Sequence, residues 1–156
     1  VIIDTEMRHK IYLDVCCLNR PFDDQYQDRI RLESEAVVII LTYVEAQSWT
    51  LVGSEVIDFE ISRIPDEEKR QKVMILSGMA KEYILVTEDI ERRAIELVEY
   101  GFKPYDALHI ACAEKANVDV FLTTDDKLLR KAKSVRLAVD VKSPIEWVLE
   151  VINSGY

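Results

Sequence analysis

Cysteine and histidine are scarce in this chain of 156 residues, and the few present are poorly placed for the chemistries they usually carry. Cys16 and Cys17 are neighbours, while Cys112 stands in a helical apolar stretch. That spacing fits neither a disulfide framework nor a zinc site and leaves buried free thiols. His9 and His109 lie far apart and form no metal-binding pair on one helix; His109 reads as a packed or helix-surface residue rather than a catalyst. Basic residues are also short: 20 Lys and Arg face 29 Asp and Glu, a net charge of −9. This argues against broad, charge-driven binding to nucleic acid, which relies on cations neutralising phosphates. Long apolar runs are missing. The first ten residues carry charges early and lack a signal-peptide core, and no later run reaches the length of a membrane span, so a cytoplasmic protein without membrane contact is expected. No linker, repeat or low-complexity segment interrupts the chain. Val1 to Glu6 precede a possible start at Met7, so residues 1–9 are expected to be a peripheral N-terminal segment and 10–156 a single domain.

What is present belongs to a globular protein with one sizeable core: 49% of residues are apolar and 31% charged. Short apolar strand candidates at 10–14, 50–53, 83–86, 119–123 and 137–141 alternate with helical patterns. Such alternation predicts an α/β fold with a mostly parallel sheet between helical layers. Residues 29–47 form one helix, with Ile30, Val37, Ile40, Leu41 and Val44 on its apolar stripe and Glu33, Ser34 and Thr42 largely off it. Ser54, Asp66 and Thr87 are placed as helix caps, Pro65 and Gly101 as stops, and Pro104 as a helix opener. Ser143-Pro144-Ile145-Glu146 combines a capping box with a proline at the first helical position. Asn19, Pro21, Asp23 and Asp24 mark a loop after the first strand.

Four carboxylates stand at the edges of apolar segments rather than in solvated charge runs. Asp14 closes Ile11-Tyr12-Leu13, and Asp125 follows Val120-Phe121-Leu122-Thr123-Thr124, so both sit where open α/β sheets place ligands. Glu60 and Asp106 lie within helical patterns among apolar neighbours. Burying a lone carboxylate is costly, and with no matching Lys or Arg in these segments a hard cation with oxygen ligands is the economical partner. Lys127, Arg130, Lys131, Lys133 and Arg136 form a basic stretch beside Asp125, read as a solvated helix face ahead of a phosphate contact.

These segments carry a resemblance. Asp106-Ala107-Leu108-His109-Ile110-Ala111-Cys112-Ala113, followed by Phe121-Leu122-Thr123-Thr124-Asp125, is similar to the third- and fourth-acid segments of PIN-domain nucleases, including VapC-like toxins. Tyr12-Leu13-Asp14 resembles the family's first strand and acid, and Ser54 with Glu60 the segment bearing the second. Val15 and then Cys16-Cys17 stand where the family usually has a small hydroxyl residue, so the hydrogen bond from that hydroxyl is expected to be absent. Glu55, Asp58 and Asp126 compete with Glu60 and Asp125 for their places, though helical phase sets Glu60 with Ile57, Ile61 and Ile64 and turns Asp58 away. The resemblance implies a three-layer α/β/α PIN-like domain over 10–156. It also implies a metal-dependent ribonuclease in which Asp14, Glu60, Asp106 and Asp125 hold Mg²⁺ or Mn²⁺ and hydrolyse RNA, with an antitoxin partner and a homodimer. Two other readings stand beside it: a catalytically silent PIN-like interaction module, and, less well matched, a phosphoacceptor receiver domain.

Overall fold

A parallel strand covered on both faces needs apolar side chains at successive positions rather than at alternate ones, and the centre of this sheet meets that demand. The structure, a computed structural model, describes residues 8–154, so most of the segment expected to be peripheral falls outside the described residues. In β1 (Lys10–Leu13), Ile11, Tyr12 and Leu13 are all fully buried, and in β4 (Val120–Leu122) every residue is buried. Around them the chain runs as α1 (Val15–Asn19), a 3-10 turn (Arg20–Phe22), α2 (Asp28–Glu45), β2 (Thr50–Ser54), α3 (Glu55–Ser62), α4 (Glu67–Ser77) and β3 (Glu82–Ile84). It continues as α5 (Glu88–Glu99), α6 (Pro104–Lys115), β4, α7 (Asp126–Ser134), β5 (Asp140–Lys142) and α8 (Pro144–Ser154). The strands lie in the order β3-β2-β1-β4-β5, and every pairing is parallel. This is the expected α/β/α arrangement. Among the described residues no helix is long and apolar enough to cross a membrane.

That order positions the site. From β1 the chain builds β2 and β3 on one side, then crosses back to lay β4 and β5 on the other. The carboxyl ends of β1 and β4 therefore flank a topological switch point, where such sheets open a crevice. Asp14 follows one of these strands and Thr123-Thr124-Asp125 the other.

Local signals set most helix boundaries. The Ser54 hydroxyl accepts from Ile57 N at 3.1 Å, Asp66 from Lys69 N at 3.2 Å and Thr87 from Ile90 N at 3.5 Å, each satisfying an otherwise unpaired amide of a first turn. Gly101 ends α5 with φ of +106°, a conformation open to glycine. At α8 the Ser143 hydroxyl accepts from Glu146 N at 3.1 Å.

Four expectations need correction. The segment after β1, read as a loop, is helical over Val15–Asn19 and Arg20–Phe22, and only the stretch from Asp23 is irregular. The last strand begins at Asp140, not 137, because the Ala138 amide is spent on Glu114 Oε2 at 2.8 Å before pairing with β4 can start. The third strand stops at Ile84, since the amide of Val86 goes to Glu55 Oε2 at 2.9 Å. Glu33 and Ser34, placed off the buried stripe of α2, are buried. Glu33 is 1% exposed and is paired with Arg20 at 3.0 Å and Arg29 at 3.4 Å.

Candidate metal centre

Asp14 lies just past the end of β1, 8% exposed, held by the neighbouring strand end. The Thr123 hydroxyl donates to Asp14 Oδ2 at 2.8 Å and accepts from the Asp125 amide at 3.2 Å, so one side chain ties both lips of the crevice together. The Cys16 thiol lies 3.4 Å from the same Oδ2 and from Thr123 Oγ1, so a weak thiol contact stands where the family's hydroxyl is lacking.

Glu60 comes from α3, six residues beyond the Ser54 cap. Its Oε1 lies 3.0 Å from Nε2 of His109, and the same nitrogen is 4.0 Å from Asp14 Oδ1. Ligand atoms of Asp14, Glu60 and His109 all fall within 4.8 Å of one another. His109 is fully buried, as a packed residue would be, yet it is packed inside the acid cluster, a place the sequence reading did not give it. The available signal was its spacing: three residues after Asp106 on one helix, it shares a face with that acid.

A chain of hydrogen bonds orients this imidazole. Ile57 N–H donates to Ser54 Oγ, Ser54 Oγ meets the Tyr12 hydroxyl at 2.7 Å, and Tyr12 meets His109 Nδ1 at 2.6 Å. An ionised carboxylate only accepts hydrogen bonds, so Nε2 carries the hydrogen that it gives to Glu60. Burial alone would lower the His109 pKa, but the hydrogen bond to Glu60 and the charges of Asp14, Glu60 and Asp106 together hold it above the usual value. A nitrogen committed to Glu60 in this way has no lone pair to give a cation. His109 is therefore a support for Glu60 while that bond stands.

Asp106, in the first turn of α6, is half-buried, and its carboxyl titrates at about 6. Burial is the main cause, followed by the charges of Asp14 and Asp125, with His109 and Lys103 pulling the other way. Asp106 thus senses the other acids without lying in the tight group of Asp14, Glu60 and His109. Asp125 caps α7: its Oδ1 accepts from Lys127 N at 2.9 Å and Leu128 N at 3.3 Å, leaving Oδ2 without a partner among the described residues. The cap therefore occupies one of the two oxygens.

The competing acids have other partners. Glu55 takes the Val86 amide, Asp58 takes the Tyr83 hydroxyl, and Asp126 takes both ends of the Arg29 guanidinium at 2.7 and 2.8 Å. Arg29 also donates to Thr124 O at 3.2 Å, fastening the Asp125 turn to α2. It ends a run of ion pairs that passes from Lys69 to Asp23 (2.6 Å), Arg20 (2.7 Å), Glu33 (3.0 Å), Arg29 (3.4 Å) and Asp126 (2.7 Å). Clustered carboxylate oxygens, one of them raised in pKa by burial and then by its neighbours, suit a hard divalent cation such as Mg²⁺ or Mn²⁺.

No curated protein sequence matches the chain significantly. Solved structures share its fold at low identity. A toxin–antitoxin complex from Klebsiella pneumoniae superposes with a TM-score of 0.55 at 19% identity, over 83% of this chain and 98% of that one. VapBC2 from Rickettsia felis, bound to a DNA fragment from their promoter, gives 0.56 at 16% identity over 86% and 98%. PAE2754 from Pyrobaculum aerophilum gives 0.55 at 14% identity over 99% and 96%. A family model described as the PIN domain matches residues 3–134, the span that contains all four acids, and the chain belongs to that family.

Proposed function

We propose that this protein is a divalent-metal-dependent endoribonuclease that acts in the cytoplasm as the toxin of a toxin–antitoxin module. The observation that carries the reading is the meeting of Asp14, Glu60 and His109 at the switch point, with Asp106, its carboxyl pushed up to about 6 by burial and then by the charges of Asp14 and Asp125, nearby. Asp14, Glu60, Asp106 and Asp125 would hold Mg²⁺ or Mn²⁺. The bound ion supplies Lewis acidity toward a phosphate oxygen and lowers the pKa of an attacking water.

The chain's own residues do the rest. Thr123 fixes Asp14 and the Asp125 turn relative to each other. His109, anchored by Tyr12, holds Glu60 so that its second oxygen is available to orient water. Asp125 caps α7 through Oδ1 and so keeps Oδ2 for a cation. Membership of the PIN family supports hydrolysis of nucleic acid, and the toxin–antitoxin assemblies among the structural neighbours support an antitoxin partner. The homodimer implied by the VapC-like resemblance belongs to the same proposal. The silent interaction module is the competing reading, and metal binding without cleavage is the result that would favour it.

The test is cleavage of single-stranded RNA by purified protein freed of any partner. Activity should require Mn²⁺ or Mg²⁺, stop with EDTA, and vanish in Asp14→Ala, Asp106→Ala and Asp125→Ala. Intact binding of Mn²⁺ with no cleavage of any RNA pool would overturn the nuclease reading, and cleavage persisting in the Asp106 variant would expose a contaminant.

A further inference from the structure

Two aromatic rings stand exposed at the rim of the acid cluster. Phe59 on α3 and Tyr105 on α6 are 44% and 45% exposed, although aromatic side chains usually supply core area. Their rings stack with centroids 5.7 Å apart and planes 18° from parallel. Phe59 immediately precedes Glu60 and Tyr105 immediately precedes Asp106, so each ring's Cα lies about 3.8 Å from that of a cluster acid. Arg63, one helical turn beyond Phe59, sets its guanidinium over the Phe59 ring at 5.6 Å. Lys103 is near enough to Asp106 to oppose the rise in its pKa.

Phe59 is engaged by both Tyr105 and Arg63. Tyr105 has no second ring or cation partner among the described residues, so it has a face to spare. The charge around the pair is also informative: Arg63 beside the rings and Lys103 near Asp106 are few cations for a phosphate backbone on a molecule of net charge −9, so affinity for a strand must draw on the rings as well.

We infer that Tyr105, backed by Phe59 and flanked by Arg63 and Lys103, is a stacking platform for one unpaired base of a single-stranded RNA, next to the phosphate presented to the acids. The inference rests on the proposed nuclease reading and gives it a base-contacting residue, open to the bases of an unpaired strand but not to those of a duplex, which are stacked on each other. It also reconciles an acidic protein with a nucleic-acid substrate, since stacking tolerates low positive charge. With two nearby cations, the logarithm of the affinity should fall with the logarithm of salt at a slope of roughly −1.4.

The experiment measures fluorescence anisotropy of a labelled single-stranded RNA oligonucleotide on the full chain carrying Asp106→Asn, a background chosen to stop cleavage. An abasic oligomer of equal length serves as the second probe. Adding Tyr105→Leu should raise the Kd for RNA about tenfold, which is about 1.4 kcal/mol, and leave the abasic oligomer unaffected. Tyr105→Trp should restore binding, and Phe59→Leu should weaken it less than Tyr105→Leu does.

Unchanged RNA binding in Tyr105→Leu, or equal losses for both probes, would overturn the platform. So would a change in oligomeric state on size exclusion without a change in RNA affinity, because the rings would then cover a protein interface. Metal-dependent cleavage that Tyr105→Leu leaves untouched in the otherwise unaltered chain would remove the platform and spare the nuclease reading. Absence of both binding and cleavage in the unaltered chain would remove the two together.

Discussion

Replacing Asp106 by asparagine should make the metal-free protein more stable. The folded carboxyl titrates at about 6 against an ordinary 3.8, because burial and then the charges of Asp14 and Asp125 oppose its ionisation. A folded pKa above the unfolded one means that the folded state holds the proton more tightly. The stability so contributed is complete below about pH 4 and is lost as pH rises through about 6. Above that, the ionised group would cost ~3 kcal/mol at 1.36 kcal/mol per pH unit if fully shielded from water. Asp106 is only half-buried, and screening by solvent reduces the cost to about 1–2 kcal/mol. Asparagine avoids it but forgoes the roughly 0.3–1 kcal/mol that an acid gains in the first turn of a helix. The net gain is about 1 kcal/mol, or a rise of about 2–4 °C in Tm for a protein of this size. Thermal denaturation in EDTA should show that gain at pH 8 and lose it at pH 4. Saturating Mn²⁺ should reverse the order, because the unaltered chain gains about 2.7 kcal/mol at a hundred times Kd and the variant loses its site. A variant that melts below the unaltered protein in EDTA at pH 8, or one with the same metal-induced shift, would refute the reasoning.

Tyr12→Phe removes the hydroxyl between Ser54 and His109, leaving His109 Nδ1 unpaired and Ser54 Oγ with the Ile57 amide. It should cost about 1–3 kcal/mol and weaken Mn²⁺ binding as Glu60 loses its support; an unchanged Tm would show that the chain of hydrogen bonds is slack. Arg130 and Lys133 are exposed on α7. Reversing their charge should leave RNA affinity and its salt dependence alone, as for a solvated face, and a clear loss in anisotropy would place phosphate there instead.

The parts of the molecule that were legible in the sequence are those with local causes. Ser54, Asp66 and Thr87 cap helices because a side chain and an amide two or three residues on are all that a cap needs. Asp14 and Asp125 meet at adjacent strand ends because alternation of strands and helices already implies a parallel sheet. The misreadings have non-local causes or a misleading residue type. Ala138 is held by Glu114, 24 residues away, and nothing near 137 announces the delay of β5. Glu33 lies four residues before Val37 and so falls on the buried stripe by spacing. Its charge argued against the position, and its partners Arg20 and Arg29 reverse that argument. His109 was discounted as one of two separated histidines, whereas what counted was its helical phase relative to Asp106.

The run of ion pairs from Lys69 to Asp126 is unevenly exposed, and that unevenness gives ionic strength a local target. In its middle Glu33 has a side-chain exposure of 2%, where dissolved ions scarcely reach. At the outer end, Arg29 and Asp126 are 56% and 52% exposed. At about 1 M salt the screening length falls to roughly 3 Å, so the outer pair weakens while the inner ones hold. High salt would then unfasten the turn that presents Asp125 from α2 without unfolding the domain. A salt titration of this protein therefore reads two quantities at once, the ions displaced from a bound strand and the slackening of the acid cluster itself.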